Sequence, residues 1–161
     1  MNTTHSFLGD PAGWKDAQVH LSALQGLWGG WQVFVSGGGV TVVRRVSPVT
    51  REQRYKLTLT GAEVQSLLET CVENNLLAIP QPQRPSHPDE TMIEITLVNK
   101  RGKNRTVKKW AGDTLAAFDA PSRLLFALTT RTHSMIPFYT GPFRWHDSSD
   151  YPDNPSEGVA T

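Results

Sequence analysis

A single cysteine, Cys71, is all the thiol in the chain. An intramolecular disulfide is therefore excluded, as are zinc sites built from several thiolates. Long apolar runs are also missing, so no segment is expected to cross a bilayer and no membrane partner is expected. Neither charge sign dominates: 16 Lys and Arg stand against 15 Asp and Glu, and the resulting +1 argues against general polyanion binding. The opening MNTTHSFLGDPAGWKD has no basic n-region and no apolar h-region, so no secretory signal is expected and the default location is cytoplasmic. Reaction motifs are missing too. There is no G-x-S-x-G and no H-E-x-x-H, and Gly37-Gly38-Gly39 leads into neither Lys-Ser/Thr nor a helix. His5, His20, His87, His133 and His146 include no pair at helical ligand spacing. No cofactor is expected, and the balance leans away from catalysis.

What the chain does have is enough apolar residues, 38% of 161, to build one domain with a core. Its clearest segment is TGAEVQSLLETCVENNLL, from Thr60 to Leu77. Thr60 and Glu63 have the spacing of a capping box. Val64, Leu67, Leu68, Cys71 and Val72 then form one apolar stripe, with Glu69 and Glu73 opposite. Asn74 and Asn75 suit a left-handed exit, and Pro80 ends any continuation. Before this helix the period is two. WQVFVS, VTVVRRV and RYKLTLT read as three strands, the first pair joined through the Gly37–Gly39 turn. RYKLTLT places Tyr55, Leu57 and Leu59 inward and Arg54, Lys56 and Thr58 toward solvent. After the stiff proline loop 80–90, MIEITLV and RTVKKW form a hairpin around Gly102. A second helix is expected to open at Asp119-Ala120-Pro121, with Leu124, Leu125 and Leu128 as its stripe.

The expected fold is α+β. A mainly antiparallel five-stranded sheet, in chain order βββαββα, carries two helices on one face. An extra short N-terminal helix follows Asp16, with Leu21, Leu24, Leu27 and Trp28 on one side. Residues 1–15 read as a flexible lead-in, 16–146 as the domain and 147–161 as a disordered acidic tail. The aromatic segment after Met135 reads as irregular and docked.

This layout resembles a group of small bacterial α+β domains of unknown function. The matching residues are Gly30, Val33, Val35, Gly39, Val42, Leu59-Thr60, Glu63, Leu67, Asp89, Ile93, Ile95, Val107 and Leu125, across roughly residues 29 to 131. The family pattern has cysteines ahead of the first strand, where this chain has Gly29-Gly30-Trp31. The resemblance implies a fold and no activity.

Three clusters could carry function. Lys100, Arg101, Lys103, Arg105, Lys108 and Lys109 crowd one hairpin that ends at Trp110, with Arg44, Arg45, Arg51, Arg54 and Lys56 on the other strands. Cations beside an aromatic can hold single-stranded nucleic acid, but they also protect sheet edges, and alternation splits Lys108 from Lys109 and Arg44 from Arg45. His87, Asp89 and Glu90 could hold a divalent cation or act as an acid–base pair; the competing reading is a capped turn. Arg84 sits between two PxxP registers in a loop that otherwise reads as a stiff connection. The leading expectation is a non-catalytic domain that binds a protein or small partner, or a second copy, through its sheet face or edge. A nucleic-acid-binding accessory role through the 100–110 hairpin is second. A hydrolase or metal-dependent enzyme using His87, Asp89 and Glu90 is third.

Overall fold

Where apolar and polar residues alternate, the chain is extended, and its strands share one register. The computed structural model describes residues 1–48 and 51–144. Among them the strands are β1 (Gln18–Gln25), β2 (Gly29–Ser36), β3 (Val40–Ser47), β4 (Arg51–Thr58), β5 (Met92–Val98), β6 (Asn104–Trp110) and β7 (Tyr139–Pro142). They form one antiparallel sheet in the order β6-β5-β1-β2-β3-β4-β7. Leu21 lies between Val33 and Ile95; Val33 faces Val43, Val43 faces Tyr55, and Ile95 faces Val107. All six are buried in a row across one face.

That face is covered by α2 (Gly61–Glu73) and α3 (Ala116–Thr130). Val64, Leu67, Leu68 and Cys71 of α2 join Phe118, Leu125 and Leu128 of α3 in the same core cluster as the strand residues. The capping box forms as expected. Thr60 Oγ1 accepts from the Glu63 amide at 3.2 Å, and the Glu63 carboxylate accepts from the Thr60 amide at 2.8 Å. Asn75 supplies the left-handed exit at φ 46°. Of the three turn glycines between β2 and β3, Gly39 takes positive φ. Gly37 serves a different need: a Cβ there would stand 1.9 Å from the Trp14 carbonyl.

The α+β class and the antiparallel sheet agree with the sequence, but the sheet has seven strands rather than five. The short helix expected after Asp16 is strand β1, an interior strand of the sheet. The leucine spacing there resembles a helical stripe, yet Val19 and Leu21 alternate with His20 and Ser22, and β1 finds a pairing partner on each side. Two neighbours satisfy the backbone of an extended segment fully, which outweighs a weak local preference. The aromatic segment after Met135 contains β7, paired with β4. Residues 1–15, read as a flexible lead-in, carry α1 (Thr3–Leu8) and a 3-10 turn (Pro11–Asp16), with Leu8 and Trp14 buried in the core. Asn2 donates to the Val72 carbonyl at 2.6 Å, and Asn75 accepts from the Thr4 amide at 3.1 Å.

Helix α3 begins earlier than Asp119. The Asp119 carboxylate reaches back to accept from the Leu115 amide at 3.0 Å, so it secures a start already made. Leu124 departs from the expected stripe: it is 40% exposed, while Leu125 and Leu128 are buried. Trp145, His146 and the acidic tail of 147–161 lie outside the described residues. Among the described residues, no helix is long and apolar enough to cross a membrane.

The α2 stripe is part of the domain's core. Leu68→Ala is expected to cost about 2–5 kcal/mol by opening a core cavity. Thr60→Ala is expected to cost about 1 kcal/mol by removing the cap. Urea unfolding of both variants against wild type measures the difference, and a Leu68→Ala protein as stable as wild type contradicts the assigned core.

Candidate functional site

The basic hairpin is the first cluster to place. Its turn is built by Asn99, whose side-chain oxygen accepts from the Arg101 and Lys103 amides at 3.0 and 3.1 Å. Gly102 takes φ 77°. Lys100, Arg101 and Lys103 are exposed around this turn, with the Lys100 side chain lying against Gly13. Arg105 faces the helix side and extends over the Phe7 ring at 6.0 Å. Lys108 faces the other side and pairs with Glu94 at 3.3 Å. Trp110 donates its indole N–H to the Arg84 carbonyl at 3.2 Å, and the Arg84 guanidinium lies 5.9 Å from the ring. The six candidate residues therefore divide between a turn and two faces. Lys109 is a clamp rather than a surface cation. Its buried ammonium donates to the Asp119 carboxylate and to the Asp113 carbonyl, tying β6 to α3. Burial would raise the Asp119 carboxyl, but the Lys109 hydrogen bond and the Leu115 amide lower it on balance.

His87, Asp89 and Glu90 form a capped turn. Asp89 takes φ 61°, and the Glu90 amide donates to the His87 carbonyl at 3.2 Å. Both Glu90 oxygens are engaged: Arg84 grips them at 2.9 and 2.8 Å, and the His87 and Gly112 amides each donate at 3.0 Å. The Arg84 hydrogen bonds hold the Glu90 carboxyl down at about 2 against the opposing effect of burial, with the two amides assisting. Asp113 takes the Arg84 Nε–H at 2.9 Å. Among the described residues, no three His, Cys, Asp or Glu groups converge as a metal ion requires. Cys71 faces the core, and burial pushes its thiol up to about 12, which leaves it protonated and inert.

Arg44 and Arg54, counted with the surface cations in the sequence, are buried. They lie opposite each other across β3 and β4 on the face away from the helices, 1% and 3% exposed. Two like charges in that position repel, and Glu52, also 1% exposed, resolves the conflict by pairing with both. Residues 139–144 lie across this cluster. Phe143 and Tyr139 stack on the guanidiniums of Arg44 and Arg54 at 4.9 and 5.0 Å, and the Arg144 carbonyl accepts from Arg44 at 2.6 Å. The expectation of a solvated Arg54 thus fails. The signal was present: period two places Arg44, Glu52 and Arg54 on one face once the register is known.

A concavity that no sequence pattern marks lies on the helical layer. A groove of about 470 Å³ runs between α2 and α3. Leu59, Leu67 and Leu128 make its buried floor, and the exposed Ala62, Ser66 and Ala127 make its walls. Helical spacing brings these positions together. Ala62 and Ser66 are i and i+4 on α2, while Leu124, Ala127 and Leu128 are i, i+3 and i+4 on α3, with Arg131 just past its end. Small wall residues leave a channel where larger ones would make a ridge. Glu63 and Arg131 pair across the groove at 3.0 Å, both half-exposed. The Thr60 amide lowers the Glu63 carboxyl, so this end stays charged.

No family model matches this chain, and no curated protein matches it. Functional reading falls to the geometry.

Glu90 links the proline loop to acid stability. Its folded-state value lies below the ordinary 4.5, so it contributes stability above that pH, and the contribution is lost as pH falls from about 4.5 to about 2. Urea midpoints measured across this window should fall less steeply for Glu90→Gln than for wild type.

Proposed function

We propose that the chain is a non-catalytic binding domain whose partner seats an apolar segment in the α2–α3 groove. The observation that carries this is the groove itself, about 470 Å³ over a leucine floor at the surface of the helical layer. That size suits recognition of a small ligand or of apolar anchors from a protein segment. The Glu63–Arg131 pair at the rim gives polar groups that can orient what enters. Further support comes from the titratable and nucleophilic groups. Glu90 is held ionised in an ion-pair network, Lys109 and Asp119 neutralise each other, and the Cys71 thiol is protonated in the core. General acid–base catalysis is favoured by groups that titrate near the working pH. The sheet face and edge, expected from the sequence to bind, are less well suited. Residues 139–144 lie across part of that face, and the β6 edge carries the scattered cations.

The test uses an apolar fluorescent probe, anilinonaphthalene sulfonate, with isotope-labelled protein. Chemical-shift changes should map to Ala62, Ser66 and Ala127. Ala127→Arg should weaken probe binding by about tenfold or more while the unfolding midpoint holds, because residue 127 is exposed. Shifts at the 100–110 hairpin on adding single-stranded oligonucleotide, abolished by neutralising Lys100, Arg101, Lys103 and Lys108, would favour the nucleic-acid reading instead.

A further inference from the structure

The turn between β1 and β2 presents two large apolar side chains to solvent. Leu27 and Trp28 are 61% and 63% exposed. Their position is held by the fold. The Gln25 side-chain oxygen accepts from both the Leu27 and Trp28 amides, and the Trp28 amide also donates to the Gln25 carbonyl at 3.2 Å. Gly29 follows at φ 75°, so close to β3 that a Cβ would stand 2.0 Å from the Val46 carbonyl. The turn is thus pinned to the end of β3 with its apolar pair directed away from the core.

The two chain segments that build this end of the sheet carry cations and no carboxylates. Residues 24–31 and 43–51 contain no Asp or Glu. Arg45 and Arg51 are exposed on the neighbouring strand ends, with Arg45 over the Trp31 ring at 5.7 Å and Arg51 paired in register with Ser47. Glu52, the first acidic residue beyond, is buried between Arg44 and Arg54 and does not face outward.

We propose that the β1–β2 tip is a peripheral contact for an anionic lipid surface. Leu27 and Trp28 enter the headgroup layer, and Arg45 and Arg51 lie against lipid phosphates. Tryptophan favours that layer because its ring is apolar while its indole N–H can still hydrogen-bond. Arginines held close to an anionic surface add attraction that salt weakens. Apolar insertion and attraction to phosphate thus act together at one tip, giving weak and reversible contact. Crossing the bilayer is not involved, so the lack of a long apolar run is no obstacle. This inference stands apart from the α2–α3 groove, which shares none of these residues.

Vesicle sedimentation of the full chain tests it. Vesicles of phosphatidylcholine alone are compared with vesicles containing phosphatidylglycerol as the minor lipid. Wild type should sediment with the anionic vesicles at low salt, less at high salt, and little with phosphatidylcholine alone. Leu27→Ser combined with Trp28→Ser should weaken binding by about tenfold or more, and Arg51→Glu should also weaken it. Circular dichroism should show both variants folded, since the altered side chains are exposed. Wild type that stays in the supernatant with both vesicle types overturns the proposal and leaves the tip to a protein partner. Undiminished binding by the double variant overturns it as well.

Discussion

Pairing of β1 with β5 joins what would otherwise be two separate antiparallel arrays. On one side stand β2, β3, β4 and β7; on the other stands the β5–β6 hairpin. The joint is made by Leu21 against Ile95 and Val19 against Leu97, all four buried. Because side chains alternate with period two, a slip of β5 by one residue here would turn Ile95 and Leu97 out of the core and bring Thr96 in. Both long helices pack over the face this register creates, so the α2–α3 groove inherits its floor from it. Leu59 reaches that floor directly from the end of β4.

Charge is treated differently on the two sides of the sheet. On the helix side, Lys109 and Asp119 form one local tie between strand and helix. On the other, Arg44, Glu52 and Arg54 are removed from water together, and aromatic rings from the chain's return stack on the guanidiniums. Buried ion pairs gain little net stability over apolar packing, but breaking one member of a set is costly. They also resist other registers, because a shifted β4 would strand an arginine without its carboxylate. His20, on the same face, is edge-on to Phe34 at 5.1 Å, and burial lowers it to about 4, so it stays neutral at ordinary pH.

Much of this was legible locally. Thr60 with Glu63, the α2 stripe, Asn75 and the alternation of Ile93, Ile95 and Leu97 are patterns within a few residues, and local patterns survive folding. What sequence could not supply was long-range pairing. β1 was mistaken for a helix because Leu21, Leu24, Leu27 and Trp28 mimic a stripe, and its true partner lies far along the chain at 92–98. Arg44 and Arg54 looked like surface cations until cross-strand register placed Glu52 between them. Leu124 looked like core because three leucines fall together, yet it borders the groove. The candidate residues of the hairpin and the proline loop were correctly located on their elements. Which of them would meet was not legible: Lys108 pairs with Glu94 on the facing strand, while Arg84 of the proline loop joins Glu90 to Asp113, which follows the hairpin.

The order in which the chain is made gives β1 an awkward history. During synthesis β1 can pair with β2 as soon as the first hairpin has emerged, but its other edge must wait for β5. In that interval β1 is an unpaired edge bearing Val19 and Leu21, before either layer of the core is complete. Such an edge is a template for pairing with another nascent chain. The N-terminal helix shares the delay, since its partners Val72, Asn75 and Leu77 follow the whole meander. Chain production that is slow or crowded before residue 98 is therefore the condition under which this protein is most exposed to misassembly.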